Sequence, residues 1–215
     1  MMTNKNPIGL FGGTFDPIHK GHIKIAEELV DGLKLHAMHF IPNKQPMYRH
    51  KPMASAKDRL AMVRIATAKN PDFIVNDIEI NRSGPTYTID TITNIRKQIP
   101  EQPLCLILGK DAFTKMNTWR DWSDVPALIH LVIINRPGVP LPDEAWIKTL
   151  LQQRQICDIQ KLRSKPGGYI LQYEIEPMTI SATDIRKKIK AGKDVSDEVA
   201  PEVLRYIEQH HLYTA

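Results

Sequence analysis

The sequence predicts an α/β fold, a doubly wound parallel sheet with helices on both faces. Three observations predict it. Short apolar runs recur along the 215 residues, most of them closed by glycine or proline. Between them lie stretches whose apolar residues repeat at helical spacing. No internal repeat or low-complexity tract points to another architecture. Strands that alternate with helices form right-handed β-α-β units, and such units place the strands parallel and cover the sheet on both sides.

The elements follow in order. Ile8-Gly9-Leu10-Phe11 is a buried strand that ends in glycines. From Lys20 to Leu33, apolar Ile23, Ala26, Leu29, Val30 and Leu33 make one face of a helix. Ala37 to Ile41 is a second strand, stopped by Pro42, and a polar loop runs from Asn43 to Lys51. Ser55 caps a helix that reaches about Ala68, with Leu60, Val63, Ile65 and Ala66 as its apolar positions. Phe73-Ile74-Val75 is extended, and a helix that Thr88 can cap runs to Ile99 and is closed by Pro100. Leu104 to Gly109 is the clearest buried strand. A helical stretch from Asp111 and a Trp-rich loop follow it. His130 to Ile134 is another strand, Pro142 to Gln155 a helix, and Tyr169 to Tyr173 a strand after the Gly167-Gly168 turn. Two helices, Ser181 to Ala191 and Pro201 to Gln209, close the chain. We read residues 1–215 as one domain with a helical C-terminal part from about residue 181.

Composition narrows the function classes. Hydrophobic residues are 42% and charged residues 25%, as in ordinary globular proteins. No apolar run approaches the roughly 20 residues of a membrane-spanning helix, and the first residues lack the pattern of a signal peptide. Cys105 and Cys157 are too few for a disulfide framework, which fits a reducing cytoplasm. The net charge of +5 and the pI of about 9.1 suit a small polyanionic substrate or a basic surface. Without zinc-finger spacing or a long Lys/Arg block, and with 7% aromatic residues, nucleic acid is not the expected partner.

Ligands of open parallel sheets bind beyond the C-terminal ends of the strands. Three unusual segments fall there: Gly12-Gly13, Gly109 and Arg136. The first opens the stretch GGTFDPIHKGH, residues 12–22. Glycines after a strand allow a sharp turn and a close ligand, and the N-terminus of the following helix attracts phosphate. His19 and His22, three apart, share one helical face. In charged form they would complement an anion, which would raise their pKa values. Metal binding and plain packing are the other readings. Lys20 between the histidines and the lack of a third ligand disfavour a dication.

GGTFDPIHKGH resembles the signature G-x-F-D-P-x-H-x-G-H of the HxGH nucleotidyltransferases. Ile180-Ser181-Ala182-Thr183-Asp184-Ile185-Arg186 resembles that family's second segment, in which a Ser opens a helix and an Arg follows one turn on. Within the family, the chain is similar to the bacterial nicotinate-nucleotide adenylyltransferases. Ile41-Pro42-Asn43, Pro85 to Ile92, Gly109-Lys110-Asp111 with Trp119, and Asn135-Arg136-Pro137-Gly138 carry this likeness.

The resemblance implies a Rossmann-like nucleotidyltransferase fold and AMP transfer from ATP to nicotinate mononucleotide, giving deamido-NAD and pyrophosphate. It implies ATP contacts from Gly12, Gly13, Thr14, Phe15, His19, His22, Gly109, Asp111, Ile180, Ser181, Thr183 and Arg186. Of these, His19, His22 and Arg186 are implied as catalytic. Acceptor contacts are implied at Lys44, Thr88, Trp119 and Arg136. Mg²⁺ is expected to arrive on the ATP phosphates, with no metal held by the protein. Phosphopantetheine or nicotinamide mononucleotide are alternative acceptors, and a non-catalytic nucleotide-binding regulator is an alternative role. The chain departs from its relatives at Asn135, where many carry a second Arg, and at Arg120, where several carry an aromatic. It also departs in the loop from Asn43 to Lys51, where Tyr48 or His50 stands near the usual His. Oligomeric state is left open, homo-oligomers included.

Overall fold

The computed structural model describes residues 6–44, 51–135, 137–176 and 179–214. Seven strands are β1 (Ile8–Gly13), β2 (Ala37–Pro42), β3 (Phe73–Val75), β4 (Leu104–Gly109), β5 (His130–Asn135), β6 (Gln155–Ile156) and β7 (Ile170–Glu174). The helices are α1 (Lys20–Leu33), α2 (Ala56–Thr67), α3 (Thr88–Gln98), α4 (Lys110–Phe113), α5 (Val125–Leu128), α6 (Ala145–Arg154), α7 (Ala182–Lys190) and α8 (Pro201–Gln209). The sheet order is β3-β2-β1-β4-β5-β7-β6. Strands β1 and β4, β4 and β5, β5 and β7, and β6 and β7 all pair in parallel. The chain thus works outward from β1 in both directions, as the doubly wound expectation requires.

Residue contacts divide the chain into two compact units. The first contains Met1–Gly12, Leu29–Met38 and Tyr87–Pro177, and the second Gly13–Glu28, His39–Thr86 and Met178–Ala215. The core of the first is a continuous apolar layer. Leu104, Leu131, Val132 and Ile133 on β4 and β5 are fully buried, as are Leu29 and Leu33 of α1 and Phe113 of α4. Near-unbroken Val/Ile/Leu runs are what a strand covered on both faces needs. Arg96 of α3 donates from its guanidinium to the carbonyls of Leu128, Ile99, Pro100, Gln102 and Pro166, which closes several loop ends with one side chain. His130 is fully buried between Lys165 and Tyr169. The Tyr169 N–H donates to its Nδ1 and its Nε2 lies 3.0 Å from the Lys165 carbonyl, so it is a neutral bridge. Burial pushes its pKa down to about 4.

The second unit packs Ile18, Ala26, Phe40, Met62, Val63, Ile185, Val199 and Val203. Ser55 caps α2 as expected, accepting from the Asp58 N–H. The structure adjusts three sequence expectations. Helix α6 begins at Ala145 rather than Pro142, with Glu144 at its cap. Thr88 does not cap α3, because Tyr87 holds that position and Thr88 is the first helical residue. A two-residue strand, β6, and a 3-10 turn at Ile159–Arg163 follow α6. They are too short for any periodicity to reveal.

Candidate functional site

GGTFDPIHKGH folds as the loop from the end of β1 into α1, and its glycines have separable roles. A Cβ on Gly13 would lie 2.8 Å from the Phe15 ring, which folds back over it. That ring is held edge-on by His22 at 5.1 Å and tilted against Phe40 at 5.9 Å, so it has nowhere to move. Phe15 sits at φ 48, a left-handed backbone that disfavours a bulky side chain. Gly21 lets the His19 ring lie over it: a Cβ there would be 3.0 Å from Nδ1 and 3.7 Å from the Ile180 Cβ. At Gly12 and Gly109 a Cβ would meet nothing within 4 Å. Their lack of a side chain is not demanded by internal packing.

His19 and His22 stack with ring centroids 3.7 Å apart. The His19 N–H donates to His22 Nδ1 at 3.2 Å, so Nδ1 carries no proton and a neutral His22 bears its proton on Nε2. Burial pushes the His19 pKa down to about 4. Burial, then the charge of His19, holds His22 well below the usual histidine range. In the free chain, burial thus opposes charge on both imidazoles, and a bound anion would act in the opposite sense. At neutral pH both rings are neutral because they are buried, and for His22 the neighbouring His19 adds to the effect. In that state they offer N–H donors. The first helical turn is also less open than the sequence implied: Lys20 N–H donates to the Glu198 carbonyl and His22 N–H to the His19 carbonyl.

The second motif meets the first at Asp16. Ser181 caps α7, accepting from the Asp184 N–H, and this starts the helix so that Arg186 lies one turn on. Arg186 donates from Nη1 to the Asp16 carbonyl at 2.6 Å and lies 3.8 Å from its carboxylate. Its Nη2 reaches Thr183 Oγ1 at 3.4 Å. Ile180 packs beside Gly21. Thus Gly13, Thr14, Phe15, His19, His22, Ile180, Ser181, Thr183 and Arg186 come together in the second unit.

Sequence reasoning passed over three residues that hold this cluster. Arg59 of α2 is fully buried and donates to the Thr14 carbonyl at 2.6 Å, the Lys44 carbonyl at 2.9 Å and Asn43 Oδ1 at 3.4 Å. It ties the loop after β1 to the loop after β2. Burial works against its charge, and Asp16 and Tyr213 support it. The signal was a cation standing beside Leu60 on an otherwise apolar helix face. Asp16 lies within the motif, and nothing local shows what its carboxylate holds. It accepts from the Met53 and Ala54 N–H groups and from the Tyr213 hydroxyl. Tyr213 gave no signal in the sequence.

The remaining expected residues divide between the two units. Lys44 donates to the Arg82 carbonyl at 2.6 Å. In the first unit, Gly109 caps the short α4 and Asp111 is exposed on it. Thr88 and Trp119 are each half-buried. Their neighbours join them: the Arg120 guanidinium sits 3.9 Å over the Tyr87 ring and pairs with Asp90, which brings the loop after α4 to the start of α3. Trp122 packs edge-on against Trp146 at 5.3 Å, and both are half-buried. Asn135 is buried and donates to Gln172. Arg136, Tyr48 and His50 lie outside the described residues.

No group of three or more His, Cys, Asp or Glu converges as metal ligands among the described residues. Asp16, the carboxylate beside the histidines, is already taken by two N–H groups and a hydroxyl. No helix among the described residues is long and apolar enough to cross a membrane.

Residues 10–188 match the sequence model of the cytidylyltransferase-like family. A protein of Acidithiobacillus ferrooxidans named "Probable nicotinate-nucleotide adenylyltransferase" is 40% identical over 95% of this chain and 94% of its own. One of the same name from Coxiella burnetii is 40% identical over 96% and 97%. In three dimensions, the Plasmodium falciparum nicotinic acid mononucleotide adenylyltransferase complexed with NaAD superposes with a TM-score of 0.73 at 18% identity, covering 97% of both chains. The same enzyme complexed with APC gives 0.70 at 19% over the same shares. The chain belongs to the cytidylyltransferase-like family, and within it to the nicotinate-nucleotide adenylyltransferases.

Proposed function

We propose that this chain transfers AMP from ATP to nicotinate mononucleotide, forming nicotinate adenine dinucleotide (deamido-NAD) and releasing pyrophosphate. The observation that carries the reading is the stacked, neutral His19–His22 pair lying in the same cluster as Arg186. Two N–H donors and one fixed guanidinium suit a chain of phosphates.

The phosphate of the acceptor is already an anion, so the step needs no general base. One of its oxygens attacks the α-phosphorus of ATP in line. The bond from that phosphorus to the β-phosphate oxygen breaks, and pyrophosphate leaves with the electron pair. No proton changes hands. A histidine held near pKa 4 is a poor general base at neutral pH, and this step does not call for one. Catalysis then consists of positioning and charge stabilisation. In this reading His19 and His22 donate N–H groups to the triphosphate. Arg186 supplies the positive charge toward the departing pyrophosphate, with Lys44 as a second cation. Gly12, Gly13, Thr14 and Phe15 shape the loop along the nucleotide, and Gly109 and Asp111 take its ribose. Thr88, Trp119 and Arg136 serve the acceptor, with Trp119 as a flat face for the pyridine ring.

Mg²⁺ would arrive as a companion of the ATP phosphates and supply charge neutralisation. The described residues offer it no ligand set, and no step above is routed through it. A cytoplasmic enzyme is the setting that fits two cysteines outside any disulfide.

Pyrophosphate release tests the reading, with ATP and, in separate arms, nicotinate mononucleotide, nicotinamide mononucleotide and phosphopantetheine. Release fastest with nicotinate mononucleotide supports it. Faster release with phosphopantetheine replaces the acceptor, and no release with any acceptor makes the chain a nucleotide-binding regulator.

A further inference from the structure

Asp16 is buried and holds the carbonyl that fixes Arg186. Its carboxylate is itself fixed from two directions. The Met53 N–H reaches Oδ2 at 2.9 Å, and the Ala54 N–H reaches Oδ1 at 3.0 Å. The remaining donor comes from 197 residues away, the hydroxyl of Tyr213, at 2.8 Å from Oδ1. Tyr213 is only 5% exposed, although it follows the last helix and lies in a terminal turn. Its backbone stands at φ 66, a region non-glycine residues seldom occupy, whereas His211 at φ 49 closes α8 in the ordinary left-handed cap, with its N–H on the Glu208 carbonyl and the Leu212 N–H on the Ile207 carbonyl. The tail has accepted an unfavourable backbone in order to bring one phenol onto one carboxylate. A tail that merely covered apolar surface would need neither the hydroxyl nor the left-handed turn.

We infer that Tyr213 is a positioning residue for the transfer reaction, acting through Asp16 to hold Arg186 at the angle the departing pyrophosphate requires. The inference rests on the phosphate role of Arg186 proposed above. Asp16 joins the two ends of the chain: its carboxylate takes the C-terminal phenol, and its carbonyl takes the guanidinium. Without the phenol, the carboxylate keeps only the Met53 and Ala54 N–H groups and is held less firmly. The Asp16 peptide and the guanidinium bound to it then shift together. Misplacing a charged donor by a fraction of an ångström lowers turnover more than it lowers ground-state binding.

The test is a double-mutant cycle in kcat at saturating substrates, using Tyr213→Phe and Arg186→Ala in the full chain. Tyr213→Phe is expected to lower kcat roughly 10- to 100-fold in the parent enzyme. It should leave KM for nicotinate mononucleotide within about twofold and lower kcat by less than about twofold when Arg186 is already alanine. Equal losses in both backgrounds overturn the inference, because a purely structural tail would act regardless of Arg186. If Arg186→Ala alone keeps full turnover, it is the phosphate role of Arg186 that fails. Should Tyr213→Phe not stay folded, 3-fluorotyrosine placed at 213 keeps the ring and changes only the donor strength of the hydroxyl. It must then shift kcat in the parent and not in Arg186→Ala, and equal shifts again overturn the inference.

Discussion

His19 and His22 face each other at 3.7 Å, with the His19 N–H bonded to His22 Nδ1. One imidazole thus caps the turn that carries the other, and the pair cannot be protonated together without loss. The stretch GGTFDPIHKGH places these rings, and the geometry decides their charge. Proton NMR of the free protein should show both imidazoles neutral through pH 6 to 8, within about half a unit of each end. A midpoint between 6 and 7 for either ring would restore the charged-clamp reading.

Acid stability follows with a definite sign. His19 and His130 each fall from 6.5 to about 4 on folding, and His22 also falls. The unfolded chain therefore binds more protons between those values. The stabilisation is complete above pH 6.5 and is lost as pH drops toward 4, by on the order of 3 kcal/mol for each fully burdened ring. Urea midpoints should be level from pH 7 to 8 and decline steadily from 6.5 to 4.

His130 separates structure from chemistry. It is as buried as the site histidines but bridges Lys165 and Tyr169 at the start of β5, away from the C-terminal strand end. His130→Phe should cost about 2–4 kcal/mol, because a buried N–H and a carbonyl lose their partner. Turnover of the folded enzyme should stay within about twofold. Chemical unfolding and kcat, measured on the same preparation, check both halves.

The adjacent glycines give opposite expectations. Gly13→Ala drives a methyl group into the confined Phe15 ring and should destabilise by about 1–3 kcal/mol. Gly12→Ala meets no neighbour, so thermal stability should hold while KM for ATP rises, if the nucleotide passes over that Cα. Thermal melts with and without ATP distinguish the two.

Arg59→Met tests the buried tie between the β1 and β2 loops. Three acceptors lose a charged donor. A cost of about 3–5 kcal/mol is expected, with weaker ATP binding in whatever remains folded. Equilibrium unfolding and ATP titration measure the two effects.

The legible parts of this molecule were those written in local patterns. Val/Ile/Leu runs gave the buried strands, Ser55 and Ser181 announced two helix starts, and eleven contiguous residues carried the histidine pair. Contacts made across long separations were not legible. Nothing local marks Tyr213 as the partner of Asp16, and the apolar face around Arg59 signals burial without showing which carbonyls it ties. The charge state of the histidines in the free protein was not legible for the same reason. It depends on burial and on a backbone N–H aimed at a ring nitrogen, neither of which spacing reveals. Thr88 fell one position inside its expected cap because Tyr87 is the residue left extended.

The central claim is transfer of the α-phosphoryl unit of ATP to the acceptor's phosphate, and its most direct measurement follows that phosphorus. ATP carrying radioactive phosphorus at the α position is incubated with the enzyme and nicotinate mononucleotide. The account predicts that the label appears in the dinucleotide, and that label placed at the γ position appears only in pyrophosphate. Transfer of the γ label to the acceptor, or no transfer of the α label, would contradict it.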